Sequence, residues 1–410
     1  MALNDVYVVG YKRTPFGCML GQCSAYTAVE LGAFAMAGAL EHASIEANEV
    51  HEVFMGNVCS AGTGQNPART AAHLAGMPHA ISTTVNKVCA SGMKAVELAA
   101  CRIQLGMCDV AVAGGMESMS NVPHYTSLRT ATKFGDSTMR DGLMQDGLMD
   151  FDSELPMGNF AERCAQMHSI SRDQMDEYTM LTYSKALAAQ SCLQLEICSM
   201  TSDTVLSRVG KAREQILRRA ADKRPALMRD EQLDKFDSEK IRKLKPVFVQ
   251  ESQGPGTITA ANASALSDGA AALVLVSAAA LKRLNLKALA RLRASADAQL
   301  APEDFTLAPA VAFRTCLQRA NLESVDLVEI NEAFAVVALA NMKLLDLDPS
   351  RVNLHGGAVA LGHPLGASGA RILISLMSVL RIHSKRVGCA AICNGGGGAS
   401  AMILELLAEK

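Results

Sequence analysis

The sequence predicts an α/β protein made of two similar halves, with a differently textured segment inserted in the first. Three observations carry this. Strand-like and helix-like runs alternate at both ends of the chain, the pattern of a parallel sheet covered by helices. The two ends also repeat. Ala90-Ser91-Gly92 matches Ala367-Ser368-Gly369, 53–57 matches 328–332, and Val110-Ala111-Val112 matches Val387-Gly388-Cys389, at a steady offset of about 276 residues. Between the repeats, from about 121 to 254, the chain is more polar and Met-rich, with charge-dense stretches at 211–223 and 229–245. The halves are therefore read as 1–118 with 266–288 and as 289–410, and the insertion as 119–265.

In order, 6–9 reads as a strand, 25–41 as an Ala-rich helix, and 50–58 as a strand ending at Gly56-Asn57. A Gly/Asn/Pro turn at 62–67 precedes a helix at 68–75. Val85-Asn86-Lys87-Val88-Cys89 then runs through Ala90-Ser91-Gly92 into a helix over 93–105. A buried strand at 109–113 ends in Gly114-Gly115-Met116-Glu117-Ser118. The insertion holds helices at 159–168 and 172–190. Its charge runs read as solvated faces, with a few Lys and Arg available to a phosphorylated ligand. Strands at 270–276 and 289–295, a helix at 310–320 and a strand at 325–330 follow. Asn331-Glu332-Ala333-Phe334 opens a helix to about 345. A Gly-rich loop through His363-Pro364 and Gly366-Ala367-Ser368-Gly369 leads into a helix at 370–380. Strands at 387–392 and 400–406 flank Cys393-Asn394-Gly395-Gly396-Gly397-Gly398.

Composition excludes several classes. The 410 residues are 49% hydrophobic and 20% charged with a net charge of -2, so no basic surplus points to nucleic acid. With no Trp and 4% aromatics, a base-stacking surface is not expected. The longest apolar runs, such as 270–276, are too short to cross a bilayer. A strand begins almost at once, leaving no room for a signal or transit peptide. That suggests the cytoplasm, or the mitochondrial matrix for a processed form. Twelve cysteines are irregularly spaced, with Cys389 and Cys393 four apart, which makes no zinc ribbon and suits a reducing compartment.

Cys89 stands at or just before a helix N-terminus, where unpaired N–H groups and the helix dipole favour a thiolate, and Lys87 and Lys94 add positive charge. Two readings stand for it, a nucleophile or a buried structural thiol. Ligands bind outside the carboxyl ends of strands, so two facing halves form a cleft that gathers Cys89, Asn331, His363 and Cys393. A neutral His363 can take the thiol proton and then hydrogen-bond an oxyanion. Cys393 precedes four glycines whose N–H groups can approach a ligand, and a second thiol can deprotonate a carbon acid. Asn331 cannot titrate and suits orienting a water or a histidine. An acyl-accepting cysteine with a separate carbon base amounts to Claisen condensation or its reverse on a thioester.

Val88-Cys89-Ala90-Ser91-Gly92-Met93-Lys94, 113–120, Asn331-Glu332-Ala333-Phe334, the Gly-Gly-Ala-Val-Ala-Leu-Gly-His-Pro run at 356–364 and Cys393 to Gly398 resemble the motifs of thiolases, over a match from Val6 to about Leu407. The resemblance implies a five-layered αβαβα fold of duplicated mixed-sheet halves with an inserted loop domain, assembled as a homotetramer or dimer. It implies acetyl transfer to Cys89, activation by His363, acid/base work at the α-carbon by Cys393, and reversible condensation of two acetyl-CoA to acetoacetyl-CoA and CoA. Asn331 would hold a water beside His363, and the N–H groups of Cys89 and Gly395 would form a second oxyanion hole. Met157, Phe248, Ala260, Ser264 and Phe334 would line the CoA and acyl pocket. The lead-in to Cys89 and Gln145-Asp146-Gly147-Leu148 resemble the potassium-activated branch, which implies a K+ site at Tyr183, Ala260, Ala261, Ala263 and Val359. Departures are Pro156 for the usual His, His355 for the usual Asn, Phe305-Thr306 for Phe-Pro, and a longer 249–256. The alternatives are a broader-chain 3-ketoacyl-CoA thiolase, a ketosynthase, which Cys393 argues against, and a non-catalytic carrier.

Overall fold

The computed structural model describes residues 3–129, 133–211, 214, 229–248 and 255–407. Most of the charge run at 211–223, and residues 249–254 of the longer segment after Phe248, lie outside the described residues.

Nine main strands form the frame. The first half supplies β1 (Val6–Arg13), β2 (Glu52–Gly56), β3 (Ile81–Val85), β4 (Val110–Ser118) and, after the insertion, β5 (Ser267–Ser277). The second supplies β6 (Ala290–Gln299), β7 (Leu327–Ile330), β8 (Val387–Asn394) and β9 (Gly398–Leu406). The orders are β3-β2-β4-β5-β1 and β7-β8-β9-β6. Beyond β7 a single bridge from Val328 to Val352 takes the place that β3 holds in the first half. The repeat read from three short matches is thus a repeat of topology. Edge strands β1 and β6 join the sheets through Tyr7–Arg291 and Val8–Ala290.

Alternation alone suggests parallel strands, but each sheet is mixed. β2 pairs in parallel with β3 and β4, as β7 does with β8. The last strand of each half runs back antiparallel. For β9 the cause is local, because Gly395 to Gly397 form a tight turn and a tight turn joins only antiparallel strands.

Eight main helices complete the layers: α1 (Ala28–Ala43), α2 (Pro67–Leu74), α3 (Ser91–Gln104), α4 (Met157–Met167), α5 (Arg172–Ala188), α6 (Ala308–Ala320), α7 (Ala335–Leu345) and α8 (Leu365–Ile382). α1 and α2 cover the first sheet, α6 and α7 the second, and α3 and α8 lie between the sheets. Local signals set several ends. Thr27 and Glu30 form a capping box on α1, as Ser171 and Gln174 do on α5. β4 and β5, covered on both faces, are buried along their whole length. α8 begins five residues before the expected start at 370, because Gly366 to Gly369 sit in a helix crowded on all sides, where packing overrides propensity. That extension also corrects the expectation about apolar runs. α8 is long and apolar enough to cross a bilayer, yet it is the 89% buried centre of the molecule. α4 packs into the core of the second half, with Phe160 and Cys164 among Phe305, Phe313 and Val336.

Candidate active site

Cys89 sits in the turn between β3 and α3. Val88 has φ +49°, a left-handed conformation that is strained for a β-branched residue by about 1–3 kcal/mol. Side chains lock the turn. Ser91 Oγ donates to the Val88 carbonyl (2.6 Å) and accepts from Lys87 N–H (2.8 Å), while Asn86 Oδ1 accepts from Val88 N–H (2.9 Å). Lys87 and Lys94 do not serve the sulfur as expected. Both ammonium groups pair with Asp297, and Lys87 also reaches Ser400 Oγ (2.8 Å) and the Ala399 carbonyl (3.0 Å) on β9. Ala399 is the register partner of Cys393, so Lys87 ties the Cys89 turn to the strand pair that carries the second thiol.

The helix starts of the two halves meet at the Gly366 carbonyl. A Cβ on Gly115 would lie 1.8 Å from that oxygen, and one on Gly56 or Gly92 2.8 Å. Only glycine admits this approach, and it brings the Cys89 turn beside the His363 loop. Glu117 reinforces it by accepting from the N–H groups of Val58 (3.0 Å), Cys59 (3.1 Å) and Gly366 (2.8 Å) and from Asn57 Nδ2 (2.9 Å). Burial still pushes its carboxyl up to about 7.

His363 is 5% exposed, and its Nδ1 lies 2.5 Å from Ser368 Oγ. Ser368 donates its one hydroxyl proton to the Pro364 carbonyl (2.9 Å), so Nδ1 carries the hydrogen in the neutral ring and Nε2 the lone pair. Nε2 has no partner among the described residues. Burial, then the positive charge of Arg371, drives the imidazole down to about 3. Burial likewise pushes Cys89 up to about 12, although the N–H groups of Gly395 and of Cys89 itself oppose this. The expectation of a ready thiolate is therefore corrected. The resting pair is a neutral thiol and a neutral imidazole, because desolvation outweighs the helix terminus.

Cys393 is fully buried at the end of β8, and burial followed by the nearby Cys89 raises its thiol well above the ordinary value. Asn331, at the end of β7, is also fully buried. Its main-chain N–H bonds the Ala391 carbonyl (2.9 Å), its Oδ1 accepts from Arg371 (3.1 Å), and its Nδ2 is unpartnered among the described residues.

One cleft of about 410 Å³ collects Cys89, His363 and Gly395, and also Met157, Phe248, Ala260, Ala263, Ser264 and Phe334. The expectation that one cleft gathers all four groups is corrected, since Cys393 and Asn331 are fully buried and are not among its lining residues. Phe248 meets Phe334 edge to face (6.3 Å between ring centres), in space left by Gly158, where a Cβ would fall 2.3 Å from the Phe248 ring. Ser264 donates its hydroxyl proton to the Ala333 carbonyl (2.9 Å) and so faces the cleft as an acceptor. Pro156 lines the cleft and precedes α4 without a side-chain cap. His355 is turned toward His383, 6.0 Å between ring centres.

The residues matched to a cation site divide. Tyr183, Ala260 and Ala261 line a separate cavity of about 140 Å³ together with Lys235 and Lys240. Ala263 faces the main cleft, and Val359 shares an apolar cluster with Tyr183. Burial raises the Tyr183 phenol to about 12, and its oxygen accepts from Gln232 Nε2 (2.7 Å) with a lone pair to spare. A phenol oxygen with backbone carbonyls suits a hard cation.

Sequence reasoning missed Ser368, Glu117 and Glu332 as positioning groups, and Met119 and Met144 as cleft walls, whereas Phe305 of the Phe305-Thr306 pair does line the cleft. Glu332 accepts from Tyr178 (2.7 Å), Thr182 (2.9 Å), Asn353 (2.9 Å) and Val359 N–H (3.1 Å), joining α5 to the loop before His363. Ser368 was legible in principle, since it lies five residues beyond His363 in a small-residue run.

Comparison with known proteins agrees with this geometry. The profile described as "Thiolase, N-terminal domain" matches residues 6–279, and "Thiolase, C-terminal domain" matches 286–406. Acetyl-CoA acetyltransferase 1 of Arabidopsis thaliana is 49% identical, covering 99% of this chain and 95% of that protein. The mitochondrial acetyl-CoA acetyltransferase of Rattus norvegicus is 47% identical, covering 99% and 92%. The crystal structure of Acat5 thiolase from Ascaris suum in complex with coenzyme A aligns with a TM-score of 0.88 at 40% identity, covering 98% of this chain and 100% of that one. With both profiles matched in succession along a duplicated frame, and relatives at 47–49% identity over 99% of its length, the chain belongs to the thiolase family.

Proposed function

We propose that this chain is an acetyl-CoA C-acetyltransferase, joining two acetyl-CoA into acetoacetyl-CoA and free CoA, and running the reverse thiolysis, through an acetyl group carried on Cys89. The observation that carries this reading is the convergence of Cys89, His363 and Gly395 on one apolar cleft, with the buried Cys393 thiol near enough to Cys89 to feel its charge.

The protonation states order the steps. Cys89 is a thiol at rest, so its proton passes to the free Nε2 of His363 as sulfur attacks the thioester carbonyl. The N–H groups of Cys89 and Gly395 flank that sulfur and are placed for the oxyanion. Cys393 is also a thiol at rest and cannot act as a base until it gives up its proton. The departing CoA thiolate is the acceptor, so free CoA leaves and Cys393 remains as thiolate, balanced by the imidazolium of His363. A second acetyl-CoA then yields an α-proton to Cys393. Its carbanion attacks the acetyl carbon on Cys89, and the released Cys89 thiolate recovers its proton from His363. Asn331 Nδ2, held beside the strand that leads to Cys393, is assigned to a water that supports the enolate oxygen.

Potassium would be held by the Tyr183 hydroxyl and the carbonyls of Ala260 and Ala261, with Ala263 and Val359 nearby. Its positive charge would anchor the loop that carries Ser264, while Lys235 and Lys240 at the same cavity weigh against it. A homotetramer is the assembly that the family resemblance implies, and the exposure of Leu128, Phe134, Met139 and Phe151 makes the insertion the segment to examine for self-association.

Thiolysis measured across acetoacetyl-CoA, its 2-methyl analogue and longer 3-ketoacyl-CoAs, with and without K+, tests the reading. A preference for acetoacetyl-CoA and an acetylated peptide containing residue 89 are expected. Equal rates on long chains would transfer the assignment to the broader-chain thiolase, a reading that the adaptable Met119, Met144 and Met157 walls favour.

A further inference from the structure

We infer that Arg371 is a positioning residue for this reaction, fixing the direction in which the Asn331 carboxamide points. Arg371 lies on α8 and is fully buried. A buried guanidinium ordinarily faces a carboxylate at hydrogen-bond distance. Here the nearest, Glu329 Oε2, is 3.8 Å from Nη1, and both Glu329 oxygens are unpartnered among the described residues. Nε and Nη1 of Arg371 are unpartnered in the same way. The hydrogen bond given by the guanidinium goes instead from Nη2 to Asn331 Oδ1, at 3.1 Å.

The chemistry of the two groups makes this bond directional. A guanidinium has donors and no acceptor, whereas a carboxamide has an oxygen at one end and an NH2 at the other. Turning the amide over would set donor against donor, so Arg371 selects the orientation in which NH2 points away from it. That NH2 is fully buried and unpartnered, and it belongs to a residue whose main chain bonds Ala391, two residues before Cys393. The inference rests on the reading of Asn331 as the holder of a water beside His363. Other charged groups around the guanidinium are Glu332, Glu196 and Arg13, and none displaces the amide as its hydrogen-bond partner. The same positive charge opposes protonation of His363, which keeps Nε2 free to receive the Cys89 proton.

The test uses the full chain. Arg371→Met combined with Glu329→Gln removes the donor without leaving a lone buried charge. In this double variant kcat for acetoacetyl-CoA thiolysis is expected to fall about tenfold to a hundredfold, with KM moving less than about threefold. Arg371→Lys, which keeps a donor toward Oδ1, is expected to recover most of the loss, and Glu329→Gln alone to stay within about twofold. Asn331→Ala provides the reference. If it loses kcat and the double variant does not, the positioning role is overturned while the reading of Asn331 stands. If Asn331→Ala keeps full kcat, the reading beneath the inference falls as well. A double variant that does not fold would assign Arg371 to the architecture and overturn the inference.

Discussion

Ser91 and Ser368 occupy matching places in the two halves, each at the start of a central helix, and each is put to a different use. Ser91 Oγ donates to the Val88 carbonyl and accepts from Lys87 N–H, so it clamps main chain. Ser368 Oγ donates to the Pro364 carbonyl and pairs with the His363 ring. The first serine holds the strained turn that carries Cys89, the proposed nucleophile, whereas the second pairs with the His363 ring. The thiols differ in the same way. Cys89 sits on the strained turn and borders the cleft, while Cys393 ends a regular strand and is fully enclosed. One scaffold occurs twice, and in the proposed mechanism the two copies divide the labour between attack and proton transfer.

The largest expected effect separates the thiols. Cys89→Ser should abolish the acetyl-enzyme, with turnover down on the order of 10³-fold or more. Cys393→Ser should still acetylate at residue 89 when mixed with acetyl-CoA, while carbon–carbon exchange drops about 10²-fold or more. Mass spectrometry of the acylated chain beside a thiolysis assay distinguishes them, and wild-type-like turnover in either variant would break the comparison.

A smaller effect separates the serines. Ser368→Ala should lower kcat about tenfold with KM nearly constant, since the ring loses the partner that sets its tautomer. Ser91→Ala should act chiefly on stability, by about 1–2 kcal/mol, because a main-chain donor loses its partner. Urea midpoints and steady-state kinetics on both variants test this, and the reverse assignment would show that the two sites are not divided in this way.

The last effect concerns pH and is read in stability, with turnover left aside. Folding lowers the His363 pKa to about 3, below its ordinary value of 6.5, so the native state favours the neutral ring. The resulting stability is present above about pH 6.5 and is lost as pH falls toward 3. Between pH 7.5 and 4.5 the wild type should therefore lose roughly 2–3 kcal/mol more than His363→Gln. Equal losses in the two proteins would mean that the ring is not desolvated in solution.

Much of this molecule is legible in its residue order. β5 and β8 announce themselves as unbroken apolar runs, and α1 is marked by Thr27 and Glu30. Harder to read was the start of α8, because Gly366 to Gly369 have the composition of a turn and become helix only when enclosed. Nor could the partners of Lys87 be read, since Asp297 and Ser400 lie over two hundred residues away in the chain.

The sequence by itself determined the inventory: two separate thiols, an imidazole before a proline, a carboxamide, and glycines where backbones must touch. Spacing and residue type suffice for that, since they depend only on covalent order. Tertiary structure alone decided the charge each group carries at rest. Cys89 and His363 are both neutral because the surrounding halves exclude water, and desolvation comes from neighbours that residue order does not name.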